Sequence, residues 1–137
     1  LVKGYQMKKT LFLFLLTLFA YSDNYMMLGD KEYSDGNFEK AIEFYTKAIS
    51  TNSKNPKIYN SRGVSYYEMK DYASAVNDYT KALSLQPNNL GTIINRGVSY
   101  SLMKDYVSAS QDAKKACKLG DCELQDMLKN SGVFVEE

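Results

Sequence analysis

The side chains best suited to covalent chemistry in this sequence are its two cysteines, Cys117 and Cys122. The 137-residue chain contains no histidine, so it lacks the commonest general base and metal ligand and cannot form a cysteine–histidine or serine–histidine pair. Two cysteines without histidine make a poor zinc site, and nothing in the sequence would lower a thiol pKa for redox catalysis. We therefore expect a protein that is not an enzyme and holds no cofactor or metal. A thiol redox protein is the least favoured alternative.

A repeat of 34 residues defines the elements that must position these cysteines. Residues 62–82 recur at 96–116, with 14 of 21 positions identical. A period of this length is typical of a unit that stacks on copies of itself. Columns of small residues extend the period over three copies, at 23–55, 56–89 and 90–123. These columns are Gly29, Gly63 and Gly97; Ala41, Ala75 and Ala109; and Ala48, Ala82 and Ala116.

Each copy has the pattern of two antiparallel helices. In the second copy, Tyr59, Gly63 and Tyr66 lie on one helical face, and a second apolar stripe ends before Pro87, which cannot continue a helix. A glycine inside a helix costs about 1 kcal/mol relative to alanine. Close approach of the two helices is the expected reason to keep a glycine in this column three times.

The second copy also carries a specific motif, formed by Tyr59, Gly63, Tyr66, Ala75, Tyr79, Ala82 and Pro87. This pattern resembles the tetratricopeptide repeat, whose unit is 34 residues. The first copy departs from it at Glu32 and Ser53, and the third at Ala113 and Asp121. The resemblance covers about residues 23–123. It implies an all-α fold, an α-solenoid of stacked antiparallel helix pairs, but it says little about the partner.

A further short helix is predicted at residues 121–130, followed by a tail at 131–137. Gly120 ends the preceding helix and Asp121 can cap the next one. A helix here would cover the exposed end of the stack. Its apolar face consists of Leu124, Met127 and Leu128.

Residues 1–22 are predicted to be a leader that contains a secretory signal peptide. Met7, the expected start, precedes two lysines and the apolar stretch 11–20, and Ala20 and Ser22 are the small residues of a cleavage site after Ser22. The stretch is about half the ~20 residues that a transmembrane helix needs. We therefore expect an exported protein of the bacterial periplasm, cell envelope or extracellular space, with no membrane anchor after cleavage.

Export also bears on the two cysteines. Cys117 falls in the buried column occupied by Ile49 and Leu83, where a free cysteine would act as a small hydrophobic residue. Cysteines in an oxidising compartment usually pair, so we favour a disulfide between Cys117 and Cys122. Such a bridge would pin the capping helix to the third unit and contribute about 2 kcal/mol.

The resemblance implies a concave groove, lined by the first helix of each unit, that takes a peptide. Its floor is mostly apolar, and Asn60 could bond a peptide backbone. Met26 and Asp30 stand where the family's lysine–asparagine–arginine clamp for terminal carboxylates begins, so that ligand class is not expected. Alternatively, Val64 and Val98 only pack against neighbouring first helices. The groove positions are Tyr33, Lys57, Asn60, Val64, Tyr67, Ile94, Val98 and Leu102.

Together these features predict an exported, non-enzymatic protein–protein interaction module that binds a peptide or partner helix. The alternative is a structural protein that self-assembles into an oligomer through the ends of its stack. The net charge of +1 gives no reason to expect nucleic acid.

Overall fold

The computed structural model describes residues 2–136, with side chains described for 11–13 and 21–136. In this described part, the regular elements are seven α-helices, so the predicted all-α fold class is confirmed. The helices are α1 (Val2–Ser34), α2 (Phe38–Thr51), α3 (Pro56–Glu68), α4 (Tyr72–Leu85), α5 (Leu90–Leu102), α6 (Tyr106–Lys118) and α7 (Glu123–Asn130).

The chain divides into two compact units, Leu1–Lys54 and Asn55–Glu137. The first unit holds α1 and α2, and the second holds α3 to α7. The division falls between the first and second copies of the repeat.

In the first unit, α1 and α2 pack where Gly29 faces Tyr45. A Cβ added to Gly29 would lie 2.6 Å from Tyr45 Cε1, so only glycine leaves room for the ring. The Tyr45 hydroxyl donates a hydrogen bond to Asp30 Oδ1 at 2.7 Å. Ala41 and Ala48 are fully buried in the same interface.

Helix α1 continues through the position where the sequence predicts cleavage. Ser22 is buried, and its hydroxyl donates to the carbonyl oxygen of Ala48 at 3.3 Å. The side chains of 1–10 and 14–20, which carry most of the predicted signal peptide, lie outside the described residues. The signal peptide therefore stays a prediction.

The second unit stacks two helix pairs. Helix α3 packs on α4, α5 packs on α6, and α4 joins the pairs through its contact with α5. Gly63 permits the first pairing, because a Cβ there would lie 2.7 Å from Tyr79 Cε1. The alanine columns of both pairs, Ala75, Ala82, Ala109 and Ala116, are buried.

The turn between the two helices of each pair has one backbone form. Lys70 and Lys104 both have a φ of 63°, and Gly36 holds the same register position in the first copy with a φ of 78°. The residue after each of them donates a backbone hydrogen bond into the end of the preceding helix, as Asp71 N does to Tyr66 O at 2.9 Å. This is the left-handed C-terminal cap that usually carries glycine.

Helix α7 closes the second unit by packing on α6 and α5. Leu124 and Leu128 are buried against Ala109 and Ala113. The segment 131–137 is predicted from the sequence to be a tail. In the structure, Val133 and Phe134 pack against this cluster. In addition, Val135 N donates to Ser110 Oγ at 2.9 Å, so the segment is part of the second unit.

Candidate partner-binding groove

A pocket of about 250 Å³ opens in the second unit between α3 and α5. Val64 and Tyr67 project into it from α3, and Val98 projects from α5. Each of the three is half-buried, so part of its apolar surface faces the pocket. The remaining lining residues are Glu68, Tyr79 and Asn95.

A second pocket, of about 220 Å³, lies between α5 and α7. Val98 lines this pocket as well, so the two pockets adjoin at one side chain. The apolar lining is completed by Ile94, Leu124 and Met127, and the polar lining is formed by Asp121 and Glu123.

A third pocket, of about 200 Å³, is lined largely by polar residues. It shares no lining residue with the other two pockets. Lys57 and Asn60 of α3 line it together with Thr92 of α5. Thr92 Oγ1 lies 2.9 Å from Asn60 Oδ1 and 3.0 Å from Asn89 Oδ1. One hydroxyl hydrogen serves one acceptor at a time, so the Asn60 amide and Asn89 share the hydroxyl. Asn60 is thus already engaged in linking α3 to α5.

The structure brings together part of the predicted groove. Val64, Tyr67 and Val98 share one pocket, and Ile94 and Val98 share the next. The other positions fall elsewhere. Lys57 and Asn60 line the polar pocket, Leu102 lines none of these three and is 48% exposed, and Tyr33 belongs to the first unit.

Two aromatic pairs recur at the repeat period. The rings of Tyr67 and Tyr72 lie 5.6 Å apart, and those of Tyr33 and Phe38 lie 5.5 Å apart in the first unit. Such a tilted pair fixes the orientation of the tyrosine ring. Tyr67 therefore presents a positioned ring to its pocket.

Two ion pairs that were not predicted from the sequence hold the helices of the second unit in register. Arg62 Nε donates to Asp78 Oδ2 at 2.7 Å and its Nη2 to Oδ1 at 2.8 Å. Arg96 makes the same two-bond contact with Asp112, at 2.8 Å for both bonds. Both aspartates are buried. Bidentate pairs of this kind combine energy with geometric specificity.

The hydrogen bonds to Asp78 and Asp112 raise the pKa of Arg62 and of Arg96 above their ordinary values. Stability from a raised pKa is lost only when the pH rises through the folded-state value, which lies beyond ordinary experiments. Arg96 Nη1 also donates to Thr80 Oγ1 at 3.1 Å, which ties α5 to α4. The signal was present in the sequence, because both arginines and both aspartates recur at the 34-residue period.

Cys117 lies in the last turn of α6, and Cys122 lies in the connection to α7. Their sulfur atoms are within bonding distance, and their Cα atoms are 4.0 Å apart. Cys122 is the residue immediately before α7, and Asp121 Oδ1 accepts from Glu123 N at 3.0 Å in the first turn of that helix. Gly120, with a φ of 105°, allows the chain to reverse between the two cysteines.

Within the described residues, no group of three histidine, cysteine, aspartate or glutamate side chains could hold a metal ion. Over the same residues, no helix has both the length and the apolar character required to cross a membrane.

Comparison with known proteins agrees with the helix pairing. A family model described as the tetratricopeptide repeat matches residues 56–89, which are the bounds of the second copy, and a second model described as a TPR repeat matches residues 29–70. None of the curated proteins compared with the chain matches it significantly. These matches identify tetratricopeptide repeats in residues 29–89 of the chain.

Solved structures of tetratricopeptide domains have the same fold. The Arabidopsis OM64 TPR domain is 25% identical with a TM-score of 0.76, covering 82% of this chain and 95% of that one. The N-terminal domain of stress-induced protein-1 (STI-1) from C. elegans is 24% identical with a TM-score of 0.75, over 82% and 95%. The first TPR of Spaghetti (RPAP3), bound to the HSP90 peptide SRMEEVD, is 22% identical with a TM-score of 0.76, over 82% and 90%.

Proposed function

We propose that this protein is an exported, non-enzymatic module that binds a peptide or partner helix on the α3, α5 and α7 face of its second unit. The observation that carries the proposal is the pair of adjoining apolar pockets that meet at Val98. Spaghetti, which shares the fold, was solved with a bound peptide, and this supports peptide binding by analogy of fold.

The two pockets suit apolar side chains of a ligand. Val64, Val98 and Ile94 are only half-buried, so a ligand that covered them would gain about 25 cal/mol for each Å² of apolar surface removed from water. The site is small compared with a standard protein–protein interface, so we expect an affinity of about micromolar.

The disulfide belongs to this proposal, because α7 forms one side of the second pocket. Leu124 and Met127 reach that pocket from α7, and Cys122 directly precedes this helix. A bridge to Cys117 would tie the start of α7 to the end of α6. It would therefore hold α7 in the position that the pocket requires.

The binding proposal can be tested by selecting peptides from a random library displayed on phage against the full chain. Val64→Asp should abolish binding of the selected peptides, because it places a charge in the apolar pocket, while circular dichroism shows the helices retained. Val107→Asp is the control for the same substitution elsewhere in the second unit, since Val107 is 48% exposed and lines neither pocket. If the Val64→Asp protein still binds the same peptides, the site is wrongly placed.

Export can be tested separately by expressing the full chain in a bacterium and measuring the mass of the protein released from the periplasm. Cleavage after Ser22 predicts a mature chain that begins at Asp23. Recovery of the uncleaved chain from the cytoplasm alone would contradict the export proposal and leave the binding proposal standing.

A further inference from the structure

The two adjoining pockets combine an apolar lining with negative charge. Asp121 and Glu123 line the α5–α7 pocket, and Glu68 lines the α3–α5 pocket. Among the described residues that line either pocket there is no lysine or arginine. A ligand seated on Val98 would therefore meet carboxylates and no cation.

Six of the lysine and arginine side chains of the second unit contact other groups or line the separate polar pocket. Arg62 and Arg96 are held by buried aspartates. Lys114 and Lys129 lie over the ring of Phe134, at 5.3 and 5.1 Å from its centroid. Lys115 Nζ donates to the carbonyl oxygen of Pro87 at 2.6 Å. Lys57 lines the separate polar pocket.

We infer that the partner segment is apolar and basic, with two apolar side chains for the two pockets and lysine or arginine next to them. This inference rests on the proposed function and specifies its ligand. The apolar side chains fill the space on either side of Val98, while the cationic groups face Asp121 and Glu123. An acidic ligand such as SRMEEVD would place its carboxylates against those of the pocket, so this site selects against that class.

The size of the charge preference follows from the exposure of the acidic groups. Glu123 is exposed and Asp121 half-exposed, so each pairing with a ligand cation is partly screened by solvent. Summed over these carboxylates, a lysine-flanked ligand should bind about tenfold more tightly than a glutamate-flanked one. The difference should shrink as salt is added.

The test uses the full chain and two short fluorescent peptides, both with two leucines one helical turn apart, flanked in one by lysines and in the other by glutamates. SRMEEVD serves as a third probe. Fluorescence anisotropy at low and high salt gives the affinities. The lysine-flanked peptide should bind most tightly. Equal or tighter binding of the glutamate-flanked peptide or of SRMEEVD would overturn the inference.

Variants on α7 assign the effect to the pocket. Glu123→Lys should weaken binding of the lysine-flanked peptide by about tenfold, since it replaces an attraction by a repulsion. Asp126→Lys is the matched control, because Asp126 is an exposed acid in the first turn of the same helix but lines neither pocket. Equal effects of the two substitutions would mean that only the net charge matters, which contradicts the inference.

Val64→Asp separates this inference from the proposed function. If both leucine peptides bind equally and both are lost in Val64→Asp, the groove stands and the charge preference is wrong. If the lysine-flanked peptide binds the Val64→Asp protein as well as it binds the unchanged chain, the proposed site itself is wrong. Failure of all three probes to bind would also overturn the charge preference, while the phage selection would still decide whether the groove takes a peptide.

Discussion

Leu124 of α7 packs against Gly97 of α5, in the place that a tyrosine takes in the other two copies of the repeat. A Cβ added to Gly97 would lie 2.7 Å from Leu124 Cδ2, just as one on Gly63 would lie 2.7 Å from Tyr79 Cε1. The third copy has Ala113 at the register position of that tyrosine. The capping helix thus supplies the side chain that the repeat lacks.

Because Leu124 takes the place of the repeat tyrosine, we expect it to contribute strongly to the stability of the second unit. Leu124→Ala should lower the free energy of unfolding by about 3 kcal/mol, because it removes a buried side chain and leaves a cavity against Gly97. Met127→Ala is the control on the same helix, since Met127 is 48% exposed, and it should cost less than about 1 kcal/mol. Denaturant unfolding of both variants gives the comparison. Similar losses would mean that the Leu124–Gly97 contact is not special.

Glycines inside the helices differ in the space around them, and this predicts opposite effects of alanine. Gly63→Ala should destabilise the protein by about 1–3 kcal/mol, because its Cβ would collide with the Tyr79 ring. In Gly91→Ala the added Cβ would meet only Asn89 Oδ1, at 3.8 Å, so the greater helix propensity of alanine should stabilise the protein by up to about 1 kcal/mol. Thermal melts of the two variants should shift in opposite directions. A shift of the same sign would refute the packing explanation.

Removing one partner of the Arg62–Asp78 pair should cost more free energy of unfolding than the intact pair contributes, because the remaining charge is left unpaired. Asp78→Ala leaves a half-buried guanidinium without its two acceptors and should cost about 3 kcal/mol. The double variant Arg62→Leu with Asp78→Phe copies the residues that the first copy has in these columns, Leu28 and Phe44. It should recover most of the loss, because apolar residues often replace a buried ion pair without cost.

Unfolding curves of the single and double variants test this expectation. Glu43→Ala breaks the exposed pair that Glu43 forms with Lys47 at 2.6 Å and should leave the curve unchanged. If the double variant is no more stable than Asp78→Ala, apolar residues cannot replace this ion pair, and the expectation is wrong.

The state of Cys117 and Cys122 can be read from the intact mass with and without reductant. A bridge predicts a gain of two hydrogens on reduction. Cys117→Ser combined with Cys122→Ser should lower the free energy of unfolding by about 2 kcal/mol in oxidising buffer, and no more than the reductant lowers it in the unchanged protein. An unchanged mass on reduction would show that the cysteines are free.

The fold could be predicted from the sequence because the residues that mark helix packing recur every 34 residues. The glycine and alanine columns mark the helix crossings, and Gly63 with Ala75 does lie at a crossing where neither tolerates bulk. The partner of a column is harder to predict. Ala113 signals only that an aromatic ring is missing, and no periodicity shows that Leu124 from the next helix replaces it.

The site could be predicted only in part, because register fixes the face of a helix and not what a side chain meets there. Asn60 lies in one column with Ile94, yet Asn60 is engaged with Thr92 while Ile94 faces α7. Likewise, Tyr79 is buried, whereas Tyr66 and Tyr100 are half-buried beside the guanidinium groups of Arg62 and Arg96. Depth and partners depend on how the helices pack in three dimensions.

The position of Val98 between the two pockets has a consequence for specificity. Val98 lines both pockets, so in the proposed mode of binding a single ligand occupies both at once. Once the first apolar side chain is bound, the second is held at a high effective concentration near its pocket, and the two weak contacts add to one stronger interaction. A ligand whose two side chains have the wrong spacing loses this gain entirely. The site should therefore discriminate between partners by the distance between their apolar residues as well as by the residues themselves.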